Sequence, residues 1–558
     1  SYLFKIISFS FVCVSAFVFI FGHRILAQSD SKLVKLFKYF LPEFDPYINL
    51  MSLLISVLSL FSFGLGYFFT ISSVVYLPLA QAASLTGFFV FSLLVGYLSV
   101  ITPMGLGVRE GIITLGLSKF ITLPLAGFAS ILTRIILIIS EFIFLIILSI
   151  LNLSNTKRAE QFVGRNWHMI VLVGLVTLYI IYFAYISFLR YDNFFTGRFD
   201  LGNMDQAVWN TLNGRLFMFT NPDGINAVSR LAFHADFLLI LLTPLYLIWS
   251  HAKMLLLTQT VVLGLGAIFV YQIAKNVLKD KNLSLALSAS YLLNPSVQLT
   301  NLYDFHPVVL ATTFILGAFY FMIKKRFVWF FAFLFLSVIS KEQVWLIAAL
   351  FGIFIFFIQK KRVLGAAIFS VSVASFYVLV SFIIPHFRQA QHFALSNYSE
   401  FGDSPISIFK SIIFSPNLVI GSLLSGSSLA YLLRIFLPLG LLSLFSPLYL
   451  IFAGPDFTIN LLSSNVQFRQ IYYQYTAVIT PFVFISAIYG IKILTDKFKI
   501  KLIYFVWHIA FFTIISAYFY GPLPLVKYPN ISVFTQKLTS LDEVDRILQT
   551  IPENAKVA

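Results

Sequence analysis

Apolar residues recur along the chain in runs of about 18 or more, long enough to cross a hydrocarbon core of roughly 30 Å as helices. The clearest runs are Ile6–Gly22, Trp167–Leu189, Met254–Ala274, Phe327–Ser340 continued by Val344–Ile358, and Leu502–Tyr520. Short polar stretches punctuate them, which predicts an all-α fold, a polytopic bundle of transmembrane helices. The polar stretch Leu151–Asn166, with Lys157, Arg158 and Arg165, separates two hydrophobic blocks. Residues 1–152 read as module one, 153–166 as a cytoplasmic linker, 167–520 as module two, and 521–558 as the start of an extracytoplasmic soluble segment.

The basic loops orient the bundle, because Lys and Arg collect on the cytoplasmic side. Lys275–Lys281, Lys324–Arg326, Lys360–Arg362 and Lys497–Lys501 are such loops in module two. Four polar stretches then fall on the outer side: Arg190–Phe233, Asn294–Pro307, the turn Lys341–Gln343, and Asp456–Gln470. The alternation requires His234–Ser250, interrupted by Pro244, to stay at the outer interface or re-enter, and Ser404–Gly426 to cross once. About eleven spans are expected in module two and about four in module one. In module one the loop His23–Phe40 is basic and cytoplasmic through Arg24, Lys32, Lys35 and Lys38. The stretch Thr102–Gly111 sets Pro103, Gly105, Gly107 and Gly111 around the charged pair Arg109–Glu110. Such a break in a helix at membrane depth is tolerated only where protein or water covers the backbone.

Composition removes the soluble alternatives. The chain is 59% hydrophobic and 11% charged, with a mean hydropathy of +0.91, whereas a soluble domain is about 25% charged. A formal charge of +16 would suggest nucleic acid in a soluble protein; in a bilayer protein it is the cytoplasmic loop bias, and no nucleic-acid partner is expected. The single cysteine, Cys13, lies in an apolar run, so neither a disulfide framework nor a cysteine metal site is expected. The sequence starts at Ser1 and stops at Ala558 soon after a soluble-looking stretch begins, as a fragment of a longer chain would.

Acids are scarce, 22 in all, and five of them, Asp192, Asp200, Asp205, Asp223 and Asp236, fall in one outer stretch. If the chain is helical from about Gly202, Asp205 and Trp209 share a face, with Gln206 beside them and Arg215 shortly after. An acid next to an aromatic suits a sugar hydroxyl, and an Asp can take a proton from an attacking hydroxyl. The bland alternative is that these acids balance Arg190, Arg198, Arg215 and Arg230 and stay solvated. Three further sites are His234 with Asp236, Asp304 with His306, and Lys341 with Glu342. Ionisable groups this deep are costly and point to function, although Lys341–Glu342 also reads as a self-paired charge and Asp304–His306 as a local cap. A divalent metal held by carboxylate and imidazole is conceivable, but the spacing matches no tight metal motif. Gly264 and Gly266 lie inside a span and are no nucleotide fingerprint.

The stretches FDLGNMDQAVWNTLNGR (199–215), FHAD (233–236), LLNPSVQLTNLYDFHP (292–307), SKEQ (340–343) and NLLSSNVQFRQIYYQYTAVITPF (460–482) resemble a domain-of-unknown-function family of predicted integral membrane proteins, over essentially all of 167–558. That family looks like the GT-C class of glycosyltransferases, among them protein mannosyltransferases and aminoarabinose transferases. The resemblance implies a sugar taken from a polyprenyl-phosphate carrier at the outer face and a catalytic Asp in the first outer loop. Asp200 or Asp205 would be the base; Arg198, Arg215, Lys341 or Arg469 would hold the carrier phosphate; Gln206, Trp209, His234, Asp236, Asp304, His306, Glu342 and Tyr473 would complete the substrate site. Gln474 stands where a His before Tyr475 is expected. In module one, TPMGLGVREG (102–111) and TRIILIISEF (133–142), with Arg134, resemble the transmembrane, flippase-like region of lysylphosphatidylglycerol synthases. No aminoacyl-transfer domain follows that region, so lysyl-lipid synthesis is not expected.

The expected function is a membrane glycosyltransferase with a polyprenyl-phosphate sugar donor, in the cytoplasmic membrane of a prokaryote, acting on an acceptor that is a protein, lipid or glycan. The rival is a flippase or permease without covalent chemistry, whose charges would line a path at several depths rather than cluster at one face. A passive scaffold leaves the clustered charges unexplained.

Overall fold

The structure is a computed structural model that describes residues 60, 62–72, 81–98, 108–123, 126–127, 129–130, 133–134, 137, 156–222, 224, 226–390, 393–524, 526–527 and 541–552. The chain divides into two compact units, Ser1–Gln161 and Phe162–Ala558.

In the first unit the helices Ala82–Leu98 and Val108–Leu117 pack through Leu85, Phe89, Ile113 and Leu117, with Tyr67, Phe68 and Ile71 in the same cluster. Arg109 is buried, and its stem lies so close to Gly96 that a Cβ there would collide with it. Glu110 Oε1 meets Arg134 Nε at 3.6 Å, and its backbone carbonyl accepts from Ser130 Oγ at 3.2 Å. Pro103, Gly105 and Gly107 lie outside the described residues.

The second unit is an all-α bundle. Four helices, Asn166–Asp192, Lys253–Leu278, Arg362–Arg388 and Leu502–Tyr520, are long and apolar enough to cross a membrane alone. Around them fold shorter apolar helices, including Pro307–Ile323, Phe327–Val338 and Val344–Phe357, so among the described residues full-length helices number four, or five with one bent pair, against the roughly eleven spans expected. The core gathers on Lys253–Leu278 and Thr480–Phe498, through buried Leu263, Val270, Tyr271, Phe482 and Ile485. Leu178, Ile181, Val363 and Trp507 point outward and exposed, which lipid accommodates and water does not. Val344–Phe357 and Arg362–Val378 touch backbone to backbone at two glycines: a Cβ on Gly352 would come within 2.6 Å of Phe369 N, and one on Gly365 within 2.5 Å of Phe356 N. Small residues at such a crossing let two helices close on each other without hydrophobic help from water.

Three local results concern the outer stretches. His234–Ser250 holds only the short helices Leu238–Leu242 and Thr243–Leu247. Ser404–Gly426, expected to cross once, holds two helices, Pro405–Phe414 and Pro416–Leu423, which meet at 86° and together are apolar enough for one broken span or a re-entrant loop. Pro416 lacks the N–H that would continue the first helix, and it restricts Ser415 before it. A small hairpin, Met218–Thr220 against Ala227–Ser229, pairs Phe219 with Val228; strands of three residues are too short to show a period of two in the sequence.

Candidate functional site

The loop after the Thr156–Asp192 helix is folded by its own polar side chains. One π-helical turn, Arg198–Gly202, leads into the helix Asn203–Leu212. From that helix Asn210 Nδ2 donates to Met218 O at 2.8 Å. Gln206 Nε2 donates to Thr220 Oγ1 at 2.9 Å, and its Oε1 accepts from Thr220 N at 2.8 Å. Gln206 therefore clamps the hairpin. Trp209 is half-exposed with the Arg215 guanidinium 5.3 Å from its ring.

Asp200 and Asp205 part company here. Asp200 Oδ1 accepts from His306 Nε2 at 3.0 Å, and Oδ2 from Tyr303 OH at 2.8 Å. Asp205 Oδ1 accepts from Tyr246 OH at 2.5 Å. Burial pushes the Asp200 carboxyl up, but the donors His306 and Tyr303 and the charge of Arg230 outweigh it and bring it from 3.8 down to about 2. For Asp205 burial wins over Tyr246 and the carboxyl is raised.

Tyr303 and His306 are held where two helices break. Pro295–Tyr303 ends at Asp304, and Pro307–Ile323 starts after His306, each helix opening on the proline its first turn tolerates. Gln259, fully buried in the long helix, secures the break. Its Nε2 donates to Asn301 O and Asp304 O at 3.2 and 2.9 Å, and its Oε1 accepts from His306 N at 3.0 Å. Asp304 Oδ2 accepts from Gly197 N at 2.8 Å. Burial raises the Asp304 carboxyl to about 6. Asp304 Oδ1 and His306 Nδ1 are buried with no hydrogen-bond partner among the described residues.

A second group comes from 230–236 and the 340–343 turn. Arg230 grips Asp236 with two prongs, Nη2 to Oδ2 at 2.9 Å and Nε to both oxygens at 3.1 and 3.2 Å, and both residues are buried. His234 Nδ1 donates to Glu342 Oε1 at 2.8 Å, and Ala235 N donates to Oε2 at 3.0 Å. Burial lowers His234 to about 4, with Glu342 opposing and Lys341 and Arg230 adding to the fall. At neutral pH His234 is therefore uncharged, and its contact with Glu342 is a hydrogen bond rather than a pair of opposite charges.

These groups meet at a cavity of about 360 Å³ lined by Asp200, Arg230, His234, Asp236, His306 and Lys341, with Phe199, Met204, Phe233, Pro307 and Val308 among its apolar wall and Ser340, Arg388 and Gln474 among its other polar residues. Glu342 stands behind His234, and Asp304 behind Gly197. Tyr473 is off the cavity wall and packs edge-on against Tyr303, ring centroids 4.8 Å apart. Gln206, Trp209, Asp205, Arg215 and Arg469 do not line the cavity; Arg469 Nη1 donates to Leu461 O and Ser463 O at 3.2 and 3.0 Å. The Arg198 side chain and Asp223 lie outside the described residues. The bland reading of acids that balance the arginines and stay solvated holds in part: Asp236 balances Arg230, but the pair is buried. Arg190 Nη2 donates to Phe195 O and Tyr303 O.

Sequence reasoning missed Arg388, Gln259 and the role of Arg230. Arg388, 4.9 Å over the Phe233 ring, ends a span whose other end starts at Arg362; an arginine at the expected outer end departs from the loop bias, and that was its signal. Gln259 breaks the apolar run Met254–Ala274 together with Thr258 and Thr260.

An all-α integral membrane protein with a charge-lined cavity among apolar helices defines the class. Residues 190–558 match the family model DUF2079, described as a predicted membrane protein, and the chain belongs to that family. Among curated proteins, no match was found.

Proposed function

We propose that the chain transfers a sugar from a polyprenyl-phosphate carrier to an acceptor at the extracytoplasmic face of a prokaryotic cytoplasmic membrane, in the manner of the GT-C enzymes its second module resembles. The observation that carries this reading is the meeting of Asp200, His306, His234, Arg230 and Lys341 at one cavity, drawn from three stretches that the loop charges assign to the outer side and from the adjoining His234–Ser250. Its volume of about 360 Å³ falls among small-molecule sites. Phe199, at its edge and 61% exposed, provides the apolar lip that a lipid-linked donor needs.

In the reaction the acceptor oxygen attacks the anomeric carbon, and the carbon–oxygen bond to phosphate breaks with its electron pair leaving on the phosphate. The acceptor's proton passes to Asp200. A carboxylate held near 2 is always ionised but weakly basic, so the proton moves late, as the new bond makes the hydroxyl acidic. The phosphate departs already charged, and Lys341 beside it offsets that charge. Module one, by its resemblance, would handle lipid for the same membrane.

The test is transfer from a panel of polyprenyl-phosphate sugars by the protein in detergent or liposomes, with Asp200→Asn as the inactive control. A parent protein that moves lipid between leaflets and transfers no sugar replaces this reading with transport. Labelling of Asn221→Cys in a Cys13→Ser background tests the sidedness: access only from the cytoplasm removes the proposal.

A further inference from the structure

The cavity contains two acid–imidazole pairs of opposite build. In one, Asp200 is the open member, its side chain 29% exposed against 7% for His306; in the other, His234 is open at 20% and Glu342 is closed at 6%. A carboxylate can only accept, so Glu342 fixes the His234 proton on Nδ1 and the ring's lone pair on Nε2. Among the described residues, the charged groups around His234 are Glu342 and Lys341 from the turn, Arg230 and Asp236 from its own segment, Arg388 from the end of the Ile384–Arg388 helix, and Asp200 with His306 along the same cavity; buried Asp456 attracts Lys341 from the far side of the turn's Gln343. The Lys341 ammonium makes no hydrogen bond or ion pair with any described residue.

With the cavity empty, burial and the neighbouring cations disfavour a charged imidazole. An entering phosphate reverses that balance. It offsets Lys341, adds an attractive charge in front of the ring, and leaves Glu342 behind it to stabilise the imidazolium. We propose that Lys341 and His234 form an anion site for the phosphodiester of a lipid-linked substrate, and that His234, held by Glu342, takes one proton from solvent as the anion binds, so that Nε2 becomes a donor beside the Lys341 ammonium. The inference rests on the donor class proposed above and adds a binding property that can be read without turnover. His234 and Lys341 are the binding groups; Glu342 is a positioning residue.

The experiment is calorimetric titration of the full chain in detergent with citronellyl methyl phosphate, a diester whose single charge does not titrate near neutrality. Buffers of different ionisation heat count the protons. Uptake should approach one proton per diester near pH 5, and affinity should rise toward about tenfold per pH unit as pH falls. His234→Gln and Glu342→Gln should both remove the uptake. Lys341→Gln should weaken binding by about tenfold or more at every pH and keep the slope. Binding without proton uptake in the parent overturns the inference whatever the variants do, as does a diester that fails to bind or uptake that survives in His234→Gln. Proton-coupled binding in a protein that transfers no sugar keeps this inference and removes the transferase; transfer without proton uptake does the reverse.

Discussion

Asp200 and Asp205 stand five residues apart in one outer stretch, and their surroundings push them in opposite directions. Asp200 is served by two donors from a helix break more than 100 residues downstream, opens on the cavity, and is held near 2. Asp205 has one tyrosine partner, no place on the cavity wall, and a raised carboxyl. On a helix five residues are close to one and a half turns, so the two side chains leave on different faces. A cluster of acids in a sequence is therefore not a cluster in space, and the donors that converge on an acid decide its character.

The sharpest way to break this contrast is to remove each charge while keeping shape. Asp200→Asn should lower sugar transfer by roughly 10²- to 10⁴-fold, the usual cost of losing a general base, while Asp205→Asn should stay within about threefold. Initial rates with a polyprenyl-phosphate sugar measure both. Equal losses, or a loss confined to Asp205→Asn, would reverse the assignment.

The next effect is on stability. Arg230 contributes to holding Asp200 down and is itself neutralised by Asp236 in a buried pair. Asp236→Ala strands that guanidinium and should cost about 3–5 kcal/mol, read as a fall in the thermal unfolding midpoint in detergent. The double variant Arg230→Met/Asp236→Leu should recover most of the loss, because the cost belongs to the unpaired charge. A double variant as unstable as the single one would show that packing, not charge, is at stake.

Much of this architecture was legible from local signals. A run such as Met254–Ala274 declares a helix by itself, and His234, Asp304, His306 and Lys341 stood out because ionisable groups in apolar sequence are expensive. The choice between Asp200 and Asp205 was not legible, since Tyr303 and His306 make it from a distant part of the chain. Arg469 looked like any other outer cation, but it lies off the cavity wall and its Nη1 donates to the carbonyls of Leu461 and Ser463. Gln206 looked like a ligand for substrate and instead clamps the hairpin.

The two tyrosines sharpen the comparison at a smaller scale. Tyr246→Phe leaves one oxygen of a largely buried Asp205 without its donor and should cost about 1–3 kcal/mol of stability with sugar transfer unaffected. Tyr303→Phe removes a donor from Asp200; it should raise that carboxyl and shift the acid limb of the rate profile to higher pH. A rate profile that moves with Tyr246→Phe instead would place the working carboxylate at Asp205.

The smallest effect, and the most specific, is the sign of the pH dependence of stability. Asp200 has a depressed value, about 2 against 3.8, so its contribution is present above about pH 4 and is lost as pH falls toward 2. Asp304 has a raised value, about 6 against 3.8, so the folded protein binds that proton more tightly than the unfolded chain does, and the ionised group penalises the fold above about pH 6. Asp304→Asn should therefore gain stability of order 1 kcal/mol at pH 7, and the gain should fade as pH falls from 6 to 4, where the parent's own carboxyl takes up its proton. Asp205→Asn should behave in the same direction, since its carboxyl is also raised and the asparagine oxygen can still accept from Tyr246. Asp200→Asn should do the opposite and lose stability at pH 7, converging on the parent only as pH approaches 2. Unfolding midpoints of the three variants at pH 7, 5.5 and 4 measure these signs. If all three variants shift stability in the same sense at pH 7, the contrast between the acid on the cavity wall and the acids set back from it does not hold.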